Sequence, residues 1–213
     1  MNELANKASK PAKEESSGHA SESLVERVRA GDGQAFRELF QIYNRRAYAV
    51  ALGVVKNEQD ALDVVQEAFI KVHKHIGSFK GSSSFYTWLY RIVMNLCIDH
   101  MRRARHLSDF DDRVGHSESA IGESLVPHFE GSNPGKSVSR KELSRQIRQA
   151  LDALPEYHRA GIMLREVEGL SYEEMAKVLD VPKGTVMSRL FHARKKMQEA
   201  LQGYLQGELE IQE

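Results

Sequence analysis

Residues 77–106 read GSFKGSSSFYTWLYRIVMNLCIDHMRRARH, and the fold follows from how this stretch is divided. A loop of glycine and serine carries one aromatic, Phe79, and a helical pattern takes over at Phe85. Phe85, Tyr86, Trp88 and Tyr90 crowd its entry, and Arg102, Arg103 and Arg105 close it. At about 100° per residue, Phe85, Leu89, Ile92 and Leu96 share the face expected to be buried. Arg91, Asn95 and Arg102 fall within an arc of about 40° on a polar flank, with Trp88 at its border. Aromatic faces beside positive charge suit unpaired bases and the phosphates between them. The plainer alternative makes the rings core and the arginines a solvated stripe. Tyr90 and Asn95 lie about 140° apart on an ideal helix, so the loop must fold over the helix if they are to share a pocket.

Upstream, the first 20 residues are rich in Lys, Glu, Ser and Ala and read as a disordered leader, not a signal peptide. A helix is expected from about Ser21, with Ser21 or Ser23 as N-cap, to the break at Gly31-Asp32-Gly33. Phe36, Leu39, Phe40, Tyr43, Ala47, Val50 and Val54 then recur at three- and four-residue steps and predict one long amphipathic helix from Gln34 to Lys56. Asn57 breaks it. The next helix is expected over Asp60–Ile76, with Leu62, Val65, Phe69 and Val72 inward. These elements make a first helical domain over residues 21–106.

From Leu107 to Lys136 the periodicity disappears, and Asp109, Asp111, Asp112, Glu118, Glu123 and Glu130 stand against Arg113. So long a stretch without periodicity reads as an acidic, flexible linker (107–136) between domains. It is either a solvated tether or a cover for a basic face.

Helices resume at Val138 in a second domain over residues 137–206, followed by a tail (207–213). Leu143, Ile147, Ala150, Leu151 and Leu154 form one face. Pro155 opens the next helix, which carries Ile162, Met163, Leu164 and Val167 and closes at Gly169. Ser171-Tyr-Glu-Glu174 has the spacing of a capping box. A short helix ends at Leu179-Asp180, Val181-Pro182 makes a tight turn, and Lys183–Gly203 forms a basic second helix. That is a helix-turn-helix. On the second helix Val186, Leu190, Ala193, Met197 and Leu201 line up toward the core. Thr185, Met187, Ser188, Phe191 and His192 are placed for base edges, and Lys183, Arg189, Lys195 and Lys196 for phosphates. The alternative is an ordinary solvated basic face.

The chain has 213 residues, 41% of them hydrophobic, and a formal net charge of zero. That composition favours two compact helical units over one extended core, so the fold class is all-α with two domains. The neutral total hides a separation of charge. Glu58, Asp60, Asp63 and Glu67 occur in one segment without a base, and Lys183, Arg189, Arg194, Lys195 and Lys196 in another without an acid. Separate acidic and basic surfaces imply different partners on each. A lone cysteine, Cys97, permits no internal disulfide and fits a reducing cytoplasm. The longest apolar run, Ala47–Val55, is well short of the roughly 20 residues that span a bilayer, so no membrane insertion is expected.

Four segments carry a family resemblance: DALDVVQEAF (60–69), FKGSSSFYTWLYRIVMN (79–95), LSYEEMA (170–176) and GTVMSRL (184–190). In kind and order they resemble the extracytoplasmic-function sigma factors, the two-domain initiation subunits of bacterial RNA polymerase, over about Ser21–Leu201. The resemblance implies that Asp60, Asp63, Gln66 and Glu67 bind core RNA polymerase. It implies that the loop Phe79–Ser84, Lys80 included, meets single-stranded −10 DNA with Tyr90 and Asn95, with one flipped base captured, and the helix projection adds Arg91 and Arg102 at the phosphates. It further implies that Arg165, Tyr172, Lys183, Thr185, Ser188, Arg189 and Phe191 face double-stranded −35 DNA, and the helix projection adds Met187, His192 and Lys195 to that surface. Met187 and His192 stand where some well-known members have arginine, so promoter preference does not transfer. An anti-sigma factor is the expected regulatory partner.

Other chemistry has little support. His73 and His75 cannot share a helix face, and Cys97 with His100 lacks a second pair of zinc ligands, so neither a metal nor a cofactor is expected. No phosphate-binding loop or hydrolase motif occurs, and an enzyme is not expected. A free-standing helix-turn-helix regulator remains the rival, but it gives no role to the acidic helix or the aromatic loop.

Overall fold

The computed structural model describes residues 22–108 and 134–210. The expected leader (1–20), nearly all of the acidic linker (109–133) and the last three residues of the tail lie outside them. Among the described residues every regular element is a helix. The first half contains α1 (residues 22–29), α2 (Gly33–Val55), α3 (Glu58–His75) and α4 (Phe85–Ser108), with a 3₁₀ turn at Ile76–Ser78. The second contains α5 (Pro134–Asp152), α6 (Glu156–Ile162), α7 (Tyr172–Leu179) and α8 (Lys183–Glu210). Met163–Val167 continues α6 as a π-helical turn.

Local chemistry sets most boundaries. Asp32 caps α2 by accepting from Gln34 N (2.8 Å) and Ala35 N (3.1 Å), and Arg27 braces its other oxygen at 2.7 Å. Lys56 leaves α2 in the left-handed region (φ 66°), and Asn57 caps α3 through Asp60 N. The capping box of α7 is complete, Ser171 Oγ accepting from Glu174 N and Glu174 from Ser171 N. Asp180 (φ 52°) then turns the chain toward α8.

Several expectations change. Helix resumes at Pro134 rather than Val138, and the last helix continues beyond Gly203 to Glu210. Leu62 was expected to point inward but is exposed, as are Phe40, Leu143 and Val167. The α3 face that packs is Ala61, Val64, Val65, Ala68, Phe69 and Val72, which leaves Leu62 and Ile70 on the outer side. In α4, Tyr90, Val93, Met94 and Cys97 join Phe85, Leu89 and Leu96 in the core, while Ile92 is only half-buried.

The largest change concerns the core. The two helical domains do not keep separate interiors: buried residues from Val25 to Ala193 form one continuous cluster. α4 packs against α7, and α2 against α6 and the π turn. At Gly53 the approach is close enough that an added Cβ would lie 2.4 Å from Met163 Cε. Glycine there lets α2 meet the second half almost backbone to side chain.

Candidate nucleic-acid interfaces

The loop after the 3₁₀ turn folds back onto the start of α4. Phe79 is half-buried with its ring 5.1 Å from that of Trp88, and Phe85 sits behind both. Ser84 caps the helix, its Oγ accepting from Thr87 N at 3.1 Å and lying 2.9 Å from Thr87 Oγ1. Its side chain therefore orders the helix entry.

In front of Phe79 and Trp88 lies a cleft of about 350 Å³, lined also by Ser78, Lys80, Ser82, Ser83, Thr87 and Arg91. That volume is within the range of small-ligand sites. A flat ring could stack on the exposed side of this aromatic pair, with serine hydroxyls at its edge and Lys80 and Arg91 at its phosphates. The far wall comes from Lys177 of α7, a residue sequence reasoning missed because nothing local ties it to the loop.

The other residues assigned to this surface are dispersed. Asn95 and Arg102 are exposed on α4 and do not line the cleft. Arg91 Nη2 lies 3.7 Å from Asp180 Oδ1, across the boundary between the halves. Tyr90 points away from the cleft into the interior, with no exposed surface. Its hydroxyl donates to Glu168 Oε2 at 2.8 Å. The same oxygen accepts from Tyr86 Oη (2.7 Å) and from Arg46 Nε (3.0 Å). Burial first and the Glu168 carboxylate second push both phenols far above their ordinary value. Burial works to lower the Arg46 guanidinium, but Glu168 together with the Tyr86 and Tyr90 hydroxyls outweighs it and its pKa ends up raised.

The acidic residues of α3 form a second surface. Asp63, Gln66 and Glu67 are exposed, and Asp60 is half-exposed with Oδ1 3.4 Å from His100 Nε2. Exposed Leu62 and Ile70 add apolar area between these charges, a mixture suited to a protein partner.

The third surface is α8. Val186, Leu190 and Ala193 are buried, which turns Met187, Ser188, Phe191, His192 and Lys195 outward, with Thr185 half-exposed. Phe191 is 65% exposed and Met187 50%, so two large apolar side chains face solvent on a basic helix. Neighbouring groups hold several cations in place. Lys183 pairs with Glu173, and Arg189 lies 4.8 Å over the Tyr157 ring. Arg165 lies 5.2 Å over Tyr172 while donating to Leu170 O at 2.7 Å. Arg194 joins Tyr172, Met187, Phe191 and Lys195 along one groove and reaches Glu166 at 2.6 Å. The composition of α8 marks Arg194 only as one of its basic residues; the structure adds its place on the groove and its pair with Glu166.

Among the described residues no cluster of His, Cys, Asp or Glu could hold a metal ion, and no helix is long and apolar enough to cross a membrane.

Comparison with known proteins adds to this geometry. Residues 39–107 match the family model for sigma-70 region 2, and residues 144–197 match sigma-70 region 4. The chain is 40% identical over 185 residues to the RNA polymerase sigma-H factor of Pseudomonas aeruginosa, covering 86% of this chain and 95% of that protein. It is also 40% identical over 181 residues to the ECF RNA polymerase sigma-E factor of Escherichia coli K12, covering 84% and 93%. Among solved structures it resembles the sigma factor RpoE, co-crystallised with the anti-sigma factor NepR from Bartonella quintana (TM-score 0.64, 26% identity, 78% of this chain and 96% of that one). The fold is also that of CnrH in complex with the cytosolic domain of CnrY (TM-score 0.61, 23% identity, 86% and 98%).

Proposed function

The chain belongs to the extracytoplasmic-function sigma factors of RNA polymerase, the subunits that direct promoter-specific transcription, and from that premise we propose how its surfaces divide the work. The α3 face of Asp60, Asp63, Gln66 and Glu67, with Leu62 and Ile70 between them, docks on core polymerase. The cleft of Phe79 and Trp88 takes one unstacked base of the −10 single strand, with Lys80 and Arg91 on the flanking phosphates. Asn95 and Arg102 continue the same track along α4. In the second half, α8 enters the −35 major groove. Thr185, Met187, Ser188, Phe191 and His192 face base edges there, and Arg165, Tyr172, Lys183, Arg189 and Lys195 the backbone.

The observation that carries the −10 assignment is the aromatic cleft flanked by cations at the entry of α4. Flipping a base costs a few kcal/mol, and aromatic stacking at about 1–3 kcal/mol per base can offset it. No bond is made or broken by this subunit in that scheme. Residues 21–106 and 137–206 act as the two functional units, with residues 107–136 spanning between them. The similar sigma factor RpoE is bound to the anti-sigma factor NepR, which supports a protein of that kind as the regulatory partner here.

Runoff transcription with purified core polymerase on a promoter library tests the scheme. Phe79→Ala and Asn95→Ala should impair promoter opening with core binding intact; equal loss of core binding would point to a folding defect. Asp63→Lys should weaken core binding, and unchanged affinity would sink the acidic-surface assignment. Tight duplex binding without core would favour the free-standing regulator.

A further inference from the structure

Glu168 is an acid in the second half whose side chain is only 2% exposed, and the side-chain partners of its carboxylate all come from the first half. Arg46 reaches it from α2, and Tyr86 and Tyr90 reach it from α4. Tyr86 Oη lies in addition 2.9 Å from the Glu168 backbone carbonyl. Its position depends on the π turn: Glu168 N donates to Met163 O, five residues back, at 3.2 Å. The extra residue in that turn re-aims the end of α6, as single π turns do at functional positions.

The other ties across the boundary are weaker in kind. Lys56–Asp152 (3.3 Å) and Arg91–Asp180 (3.7 Å) are solvated pairs. The buried cluster that continues across the boundary, with α4 on α7 and Met163 on Gly53, is apolar contact without direction.

We propose that Glu168 is an interdomain latch, holding the free chain in a closed state in which Tyr90 is sealed away and α7 stands over the Phe79 cleft. A buried carboxylate held in this way adds little net stability, because Glu168 and its partners recover their hydration when they separate. The latch is therefore reversible, and a partner that binds the halves apart can release it. Removing one partner has a much larger effect, since the others stay buried without their acceptor. The consequence for DNA rests on the reading of Tyr90 as DNA-facing; the latch itself does not.

Two variants of the full chain test it from opposite sides of the boundary, Glu168→Ala and Arg46→Met. Small-angle scattering and hydrogen exchange of the α4 amides around Tyr86–Tyr90 should report a shift of about tenfold or more toward an open state in both. Unchanged scattering and exchange in both would overturn the latch. Should Glu168→Ala lose helix by circular dichroism, Arg46→Met decides alone, because Arg46 is half-exposed and lies on α2, outside the second half. A labelled single-stranded DNA of mixed sequence provides the second arm. Opening with about tenfold tighter binding supports both halves of the inference. Opening with unchanged binding leaves the latch standing and removes Tyr90 from the DNA surface.

Discussion

Replacing Tyr90 by Phe distinguishes two roles for one hydroxyl. The ring is fully buried, so Phe keeps its shape and opens no cavity. What is lost is a 2.8 Å hydrogen bond to the Glu168 carboxylate. Bonds to charged groups contribute about 1.5–3 kcal/mol. Glu168 keeps Arg46 Nε at 3.0 Å and Tyr86 at 2.7 Å, so the carboxylate is not orphaned and the lower end applies, about 1.5 kcal/mol. Urea unfolding can be followed at Trp88, the single tryptophan, which stacks near Phe79 beside the boundary. With a slope of about 1–3 kcal/mol per molar, the midpoint should fall by about 0.5–1.5 M at constant slope. An unchanged midpoint with impaired promoter opening would refute this reasoning, and would mean that the hydroxyl acts on DNA and not between the halves.

Ser171→Ala removes the N-cap of α7 and should destabilise the chain by about 1 kcal/mol in the same urea titration, because Glu174 N loses its acceptor. Cys97, fully buried and pushed up to about 12 by desolvation, should react with iodoacetamide at pH 8 far more slowly than a free thiol, and denaturant should abolish the protection. Asp32 is held below its ordinary value of 3.8, first by the Ala35 amide and then by the Arg27 side chain. Its contribution is therefore present above that value and lost as pH falls through the depressed one. Asp32→Ala should remove this acid-side loss from a stability–pH profile measured by thermal unfolding.

Short-range chemistry was readable along the chain. Hydrophobic steps of three and four residues in α2 to α4, the Ser171 capping box and the Val181-Pro182 turn each depend on residues within one or two helical turns. They therefore placed the helices, the helix-turn-helix and the outward face of α8. The same information could not rank faces of similar hydrophobicity. Leu62 and Val65 both fit an inward stripe on α3, and only packing against α2 and α4 leaves Leu62 in solvent. Nor could it tell an acid in solvent from one in the interior. Glu168 stands in Glu166-Val-Glu168-Gly169, a sequence ordinary for an exposed helix end, yet its partners are 122, 82 and 78 residues away. Contacts at such separations leave no periodic trace, because they are chosen by how two finished units meet. The sequence by itself determined an all-helical chain with an aromatic loop, an acidic helix and a basic helix after a tight turn. Only the tertiary structure decided that Tyr90 faces Glu168, at the end of a π turn, and that Lys177 closes the cleft, since both depend on how α4 packs against the second half.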